Sequence, residues 1–374
     1  MIIDQAALDL ICIFETNGHE AYAVGGCVRD GIMGRPCNDT DITVSSTPDV
    51  TMSVLEKSGI RYVETGLKHG TVTAVVNGKP YEITTFRTDG EYTDNRRPDS
   101  VEFVSRLEDD LSRRDFTVNA MAYSENKGVV DLFGGTDDIK NKIIRTVGDA
   151  DTRFNEDALR ILRALRFSSV LRFEIEEKTA QSILKNAHLL KNIAIERITA
   201  ELEKLLVGDD AINVIIRFKP VFCQLLGVDD IDVSPLYSLP ADFALRLAAI
   251  CDGSTLRLSK HTRARVKNVR DNKNIDIPCD TPSVCRALFK YGKDNLFDIL
   301  IFNRKLRILE AVGEVISSGE IYDISQLDID GRDLVKKGFR GADVKTALQT
   351  ALFAVIDKKI PNDKQKILDY LCSL

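Results

Sequence analysis

Val24-Gly25-Gly26-Cys27-Val28-Arg29-Asp30 and, shortly after it, Asp39-Thr40-Asp41 are the stretch whose reading decides the fold. Ala21–Val24 is a short apolar run, and the paired glycines end it in a turn. Bare glycine backbone lets N–H groups approach an anion closely. The helix expected at 28–33 adds oriented donors, and Arg29 can fork onto phosphate oxygens. Asp41–Val44 reads as a second short strand. Residues i and i+2 of a strand share a face, so Asp39 and Asp41 set two carboxylates side by side. They repel unless a cation lies between them, and Mg2+ prefers hard oxygen ligands together with substrate phosphates. Alone, such a pair fits a solvated surface. Behind a glycine turn it fits metal-assisted phosphoryl or nucleotidyl transfer.

Outward from this stretch, Thr71–Val76, Asn77-Gly78 and 81–86 read as a hairpin, because Asn-Gly suits a two-residue turn. Residues 87–100, RTDGEYTDNRRPDS, are polar and without period, and read as a loop; 101–104 is a candidate last strand. Beyond about residue 136 the pattern changes. Apolar residues recur at i, i+3, i+4 over 157–170, 178–190, Ile195–Leu206 and Phe243–Ile250, and strand signals fade. The fold class expected is α+β: a small mixed α/β head followed by an elongated all-helical remainder.

Composition narrows the function classes. A chain of 374 residues is long enough for roughly two to four domains. Net charge is −6, so a polyanionic partner must meet a local basic surface. The 8 cysteines lack C-x-x-C spacing and the 4 histidines are scattered, which argues against zinc and a disulfide framework. The start lacks a basic n-region, and no apolar run is long enough to span a bilayer. A cytoplasmic location with no membrane contact is expected.

Two further clusters carry chemistry. Arg113-Arg114-Asp115-Phe116-Thr117-Val118-Asn119-Ala120 offers donors and an acceptor together, as phosphates and a ribose 2′-OH require. It also fits a helix start with a local Arg–Asp pair. Glu156-Asp157-Ala158-Leu159-Arg160-Ile161-Leu162-Arg163-Ala164-Leu165-Arg166 reads as one helix with Asp157 and Arg160 at i, i+3. The plain reading is a surface ion pair. The functional reading comes from base edges: cytosine and adenine each present an amino donor beside a ring-nitrogen acceptor. A carboxylate and a guanidinium match that edge, whereas uracil and guanine reverse both polarities and leave buried groups unpaired. Glu156 either orients the arginine or caps the helix.

Taken together, GGCVRD, NDTDIT, RRDFTVNA, DLFGG and EDALRILR resemble the polymerase-β-like nucleotidyltransferase superfamily, specifically its bacterial tRNA nucleotidyltransferase/poly(A) polymerase class. The resemblance covers about 20–206 well and about 320–374 weakly. It implies that Asp39 and Asp41 are catalytic and hold Mg2+, with Glu82 as third carboxylate on a neighbouring strand; an exposed strand glutamate is the other account of Glu82. It implies that Gly25, Gly26 and Arg29 grip the triphosphate, and that Arg114, Asp115 and Asn119 select ribose. Asp157 and Arg160, with Arg163, would contact the base, so that CTP and ATP are the substrates. Gly134-Gly135 would be a hinge, although a plain turn serves equally. Ile195–Leu206 is assigned packing work.

The implied organisation is a head at 1–136, a nucleotide-reading neck at 137–206, a body at 207–315 and a tRNA-binding tail at 316–374. In the tail, 328–334 and the residues after it resemble a tRNA-gripping segment, with Arg332, Lys336, Lys337 and Arg340 toward phosphates. Gly341-Ala342-Asp343-Val344-Lys345 departs from the family pattern there. The stretch Asp89-Gly90-Glu91-Tyr92-Thr93-Asp94-Asn95-Arg96-Arg97-Pro98 resembles a loop found in enzymes that add all of CCA. The expected activity is therefore template-independent CCA addition to the acceptor arm of tRNA, with no protein partner implied. A poly(A) polymerase, a partial CC- or A-adding enzyme, and a non-catalytic RNA-binding protein on the same scaffold are the alternatives.

Overall fold

The Asn77-Gly78 turn seeds the sheet. Both residues have positive φ, 52° and 79°, as a tight two-residue hairpin turn requires. The computed structural model describes residues 3–37, 39–90 and 101–374. Its chain divides into two units, Met1–Ile231 with Thr255–Arg257, and Asp232–Ser254 with Leu258–Leu374.

The first unit opens with α1 (Gln5–Thr16), β1 (Ala21–Val24), α2 (Gly26–Ile32), β2 (Asp41–Val44), α3 (Pro48–Lys57), β3 (Arg61–Gly66), β4 (Thr71–Val76) and β5 (Lys79–Thr85). It continues through β6 (Arg87–Asp89), β7 (Val101–Phe103), α4 (Leu107–Ser112), β8 (Met121–Ser124), β9 (Gly128–Asp131), α5 (Gly135–Asn141) and β10 (Ile143–Ile144). The helical part then runs as α6 (Ala150–Glu156), α7 (Leu159–Leu171), β11 (Glu174–Ile175), α8 (Glu177–Asn186), α9 (Ile195–Leu206), α10 (Ala211–Arg217) and α11 (Lys219–Leu226).

The main sheet has the order β3-β4-β5-β2-β1-β8-β9. Its register brings the glycine turn and the acidic pair together. Val24, the last residue of β1, lies opposite Asp41, the first of β2. On the other side of β2, Ile42 runs beside Ile83 in parallel, which sets Glu82 next to Asp41. β1 is buried throughout because it is central, covered by α1 and α2.

Two expectations are corrected. The strand expected at 101–104 is present as Val101–Phe103 but is not the last, and it pairs with Arg87–Asp89, inside the expected loop, as a ribbon separate from the main sheet. The main sheet has no partner left at that point, since the last bonds of β5 reach Gly70 and Val44, where its neighbours end. The root of the expected loop is thus a strand pair, and 91–100 lie outside the described residues. The single helix expected over 156–166 is broken. α6 ends at Glu156, Asp157 is extended (φ −134°, ψ 102°), and α7 begins at Leu159. The Asp157 carboxylate accepts from the Leu159 backbone N–H at 3.0 Å, which satisfies a donor that the new helix start would otherwise leave orphaned. Phe154 and Ala158, on either side of the break, are both fully buried.

The Asp131-Leu132-Phe133-Gly134-Gly135 segment is a packed turn. Asp131 accepts from the backbone N–H groups of Gly135 at 2.9 Å and Thr136 at 2.7 Å. Gly135 rests on the chain at Thr117, where a Cβ would stand 2.3 Å from the carbonyl oxygen.

The second unit carries only helices among the described residues: α12 (Phe243–Ile250), α13 (Lys260–Asp271), α14 (Thr281–Tyr291), α15 (Lys293–Phe302), α16 (Leu306–Ser317), α17 (Gly331–Lys336), α18 (Ala342–Ile356) and α19 (Lys364–Cys372). Val284, Leu296, Leu300, Val312, Leu334, Leu352 and Ile367 form its core. Aspartate caps set four of its helix starts, Asp242, Asp280, Asp330 and Asp363, each accepting from backbone N–H groups. No helix among the described residues is long and apolar enough to cross a membrane.

Because the Thr117 carbonyl is backbone and cannot swing aside, Gly135→Ala is expected to destabilise the first unit by ~1–3 kcal/mol. Chemical denaturation of the variant, monitored by circular dichroism, checks this; an unchanged midpoint would refute the packing account.

Candidate active site

The site begins at Gly25, whose φ of 77° and ψ of −133° suit glycine alone. A Cβ there would lie 3.3 Å from Nη1 of Arg114, so the bare turn sits directly against that guanidinium. Arg29, one turn into α2, is buried. Its Nη1 donates to Oδ1 of Asn119 at 2.7 Å, and its Nε and Nη2 donate to the Asp30 carboxylate, each at 2.9 Å.

Asp39, Thr40, Asp41 and Ile42 alternate exposed and buried, which puts the two carboxylates on one open face. Asp41 is open to solvent yet lies in a concave wall. Crowding by protein atoms, then the charge of Glu82, raise its pKa against the opposing pull of Arg114, with Asp39 adding to the rise. Asp41 therefore feels both of the other acidic residues. Among the described residues, no three His, Cys, Asp or Glu side chains converge closely enough to hold an ion by themselves. An ion held there would complete its shell from elsewhere, which suits Mg2+, an ion that keeps waters and takes phosphate oxygens.

A wall of arginines faces this edge. Asp110 is fully buried and accepts from Arg113 at 2.7 and 3.1 Å and from Arg114 at 3.1 Å. Its burial works to raise the pKa, but the charges of Arg114 and Arg113 win and hold it low. Asp115 is in the same position: burial opposes ionisation, and Arg163, then Arg160, overcome it. Arg163 Nε donates to Asp115 at 2.7 Å, and Asn119 Nδ2 reaches Asp115 at 3.4 Å. Arg29, Asn119, Asp115 and Arg163 thus form one continuous chain from α2 to α7. Arg166 donates to Glu201 of α9 at 2.5 Å and lies 4.0 Å from the Phe167 ring centroid, which Arg29 and Arg163 also approach, at 5.2 and 5.4 Å.

The expected Asp157–Arg160 side-chain pair is not made, since the break at Asp157 removes the helical i, i+3 spacing. Arg160 Nη1 donates to Glu156 at 2.8 Å and its Nη2 to the Arg113 carbonyl at 3.0 Å. Asp157 accepts instead from Arg197 Nη2 at 3.0 Å. Glu156 therefore orients the arginine.

These groups line a cleft of about 390 Å3. It brings together Gly25, Gly26, Arg29, Asp41, Arg114, Asp115, Asn119, Asp157, Arg160 and Arg163, and adds Arg113, Arg166 and Phe167. Asp39 and Glu82 stand beside Asp41 rather than in the cleft lining. A larger hollow of about 600 Å3 lies between 145–151 and α8; in it Arg145 is paired with Asp138 and Glu176, and Lys185 with Asp151. Arg332, Lys336, Lys337 and Arg340 belong to the second unit. All four are exposed, and Arg332 is bonded to Asp330, the cap of its own helix. Asp110 carried a signal that sequence reading missed, an aspartate at i−3 and i−4 from two arginines; Phe167 carried none beyond its place next to Arg166.

Residues 21–145 match the family described as Poly A polymerase head domain, and 172–218 match the one described as probable RNA and SrmB-binding site of polymerase A. A CCA-adding enzyme of Streptococcus thermophilus is 36% identical over 98% of this chain and 96% of its own. The chain belongs to the CCA-adding enzymes. A solved member of the family, the Bacillus stearothermophilus CCA-adding enzyme in complex with CTP, is 32% identical, with a TM-score of 0.82 over 99% of this chain and 96% of that one. The Thermotoga maritima CCA-adding enzyme complexed with tRNA, at 19% identity and a TM-score of 0.70, shares the fold.

Asp110 and Asp115 both have folded-state pKa values below the ordinary aspartate value of about 3.9. The stability they contribute is full above that value and is lost as pH falls toward the lowered ones. The thermal midpoint of the protein should therefore drop as pH falls below about 4, and Asp110→Asn should flatten that dependence. Melting curves between neutral pH and pH 3 test it; equal slopes for parent and variant would contradict the assignment.

Proposed function

We propose that this enzyme adds C, C and A to the 3′ end of tRNA from CTP and ATP, without a nucleic-acid template, in the cleft between the sheet edge and α7. The observation that carries the reading is that one cleft holds both an arginine wall beside Asp41 and the pair Asp157 and Arg160. The first suits a triphosphate and the second suits a base edge. The division of labour in this reading is a catalytic head at 1–136, a neck at 137–206, a body at 207–315 and a tail at 316–374.

Asp39 and Asp41, with Glu82 beside them, would hold Mg2+. Bound there, the ion would make the primer 3′-OH more acidic and offset charge on the leaving pyrophosphate. The protein's own groups do the rest. Gly25 and Gly26 offer backbone, and Arg29 and Arg114 offer guanidinium donors, to the triphosphate. One carboxylate, Asp110, neutralises both Arg113 and Arg114, which leaves net positive charge where phosphates would lie. Asp115 and Asn119 face the ribose. Asp157 accepts from the amino group of cytosine or adenine, and Arg160, which uses two of its five N–H donors on the protein, donates to the ring nitrogen. Arg163 is bound to Asp115 and braces the same wall.

The tRNA acceptor arm would be held by backbone and shape, with Lys336, Lys337 and Arg340 on exposed positions of the second unit toward phosphates and Arg332 beside them. The cytoplasm, where tRNA is matured, is the place of action this implies.

Purified protein, Mg2+ and a tRNA transcript ending at position 73 provide the test. Two additions are expected with CTP alone and three with CTP plus ATP. A long ladder with ATP alone would establish a poly(A) polymerase instead, and a stop after two additions a partial enzyme. Asp39→Ala should abolish addition while tRNA still binds. CMP incorporation by that variant at the parent rate would overturn the metal assignment.

A further inference from the structure

Asp157 is held by a residue from a different helix. Its Oδ1 accepts from the Leu159 N–H at 3.0 Å, and its Oδ2 accepts from Nη2 of Arg197, in α9, at 3.0 Å. Arg197 is half-buried, and its Nη1 is buried with no hydrogen-bond partner in the protein. An arginine with an unpaired buried donor is a poor stabiliser, because desolvating that donor is not repaid. Its retention here needs another account.

We propose that Arg197 is a positioning residue for nucleotide choice: it fixes the rotation of the Asp157 carboxylate and thereby sharpens discrimination against UTP and GTP. This rests on the reading that Asp157 meets the base. The terminal torsion of an aspartate is broad, so one anchor at Oδ1 leaves the carboxylate free to turn. A second anchor at Oδ2 holds it in one plane. Each carboxylate oxygen offers about two lone pairs, so each keeps an acceptor site for an amino group. A uracil or guanine, which presents a carbonyl in place of the amino group, then meets fixed negative charge. Were the carboxylate free to swing away, that repulsion would go along with the attraction. The partner arginine, Arg160, is fixed the same way at two points, by Glu156 and by the Arg113 carbonyl. Both halves of the reading pair are thus immobilised by groups other than each other.

The test measures kcat and KM for CTP and for UTP with the parent and with Arg197→Met, Arg197→Lys and Asp157→Ala, on a tRNA transcript lacking CCA. Arg197→Met should lower the CTP-over-UTP ratio of kcat/KM on the order of tenfold, without lowering the thermal midpoint. Arg197→Lys, which restores a cation near Oδ2, should recover part of the ratio. In an Asp157→Ala background, Arg197→Met should change the ratio no further. A purely structural role predicts a different result: equal losses for both nucleotides, an unchanged ratio and a lowered midpoint, which would overturn the proposal. If Asp157→Ala itself leaves the ratio intact, the base-reading assignment fails; if Asp157→Ala collapses it while Arg197→Met does not, only the role of Arg197 fails.

Discussion

The buried carboxylate of Asp115 is the constraint on which the rest of the site depends. A charge so largely withdrawn from water survives only where cations and hydrogen bonds replace it, and Arg163 and Asn119 do so here. Arg163 comes from α7, Asn119 from the turn before β8, and Asn119 passes the link to Arg29 in α2. One ionised group therefore ties the glycine turn of the sheet to the helix that carries Arg160 and Arg163. Phe116 and Phe167 reinforce the same junction by an edge-to-face contact at 5.8 Å.

The cleft gives a chain of net charge −6 a local basic surface, built of arginines of which most are paired with an acid. Arg29 has Asp30, Arg160 has Glu156, Arg163 has Asp115 and Arg166 has Glu201. At Asp110 one carboxylate serves both Arg113 and Arg114, as Glu156 serves Arg153 and Arg160 and Glu201 serves Arg166 and Arg163. Of these, Arg114 acts on the charge of Asp41, so its excess lies at the acidic edge of the cleft.

Much of the fold was legible in the sequence because its signals are local. The Asn77-Gly78 turn, the strands at Ala21–Val24, Asp41–Val44 and Thr71–Val76, and the helices Ile195–Leu206 and Phe243–Ile250 come from period and turn chemistry alone. Most cleft residues were legible for the same reason, each lying in a dense motif. The features that escaped were set by tertiary contact. The break at Asp157 cannot be read from a continuous helical period, because it arises from the burial of Phe154 and Ala158 and from a side-chain cap. The separate ribbon of Arg87–Asp89 and Val101–Phe103 depends on where neighbouring strands end. Arg197 looked like packing because its partner lies forty residues away in sequence.

The chain of contacts from Arg29 through Asn119, Asp115 and Arg163 to Glu201 has a consequence for how such a protein can change. The chain of contacts spans α2 to α9, and each segment along it holds one half of a hydrogen bond or ion pair whose other half is elsewhere. Exchanging α7 alone with a relative would import arginines without the acids that hold them. A cut made beyond Leu206 would leave the whole of this contact chain on one side of the junction.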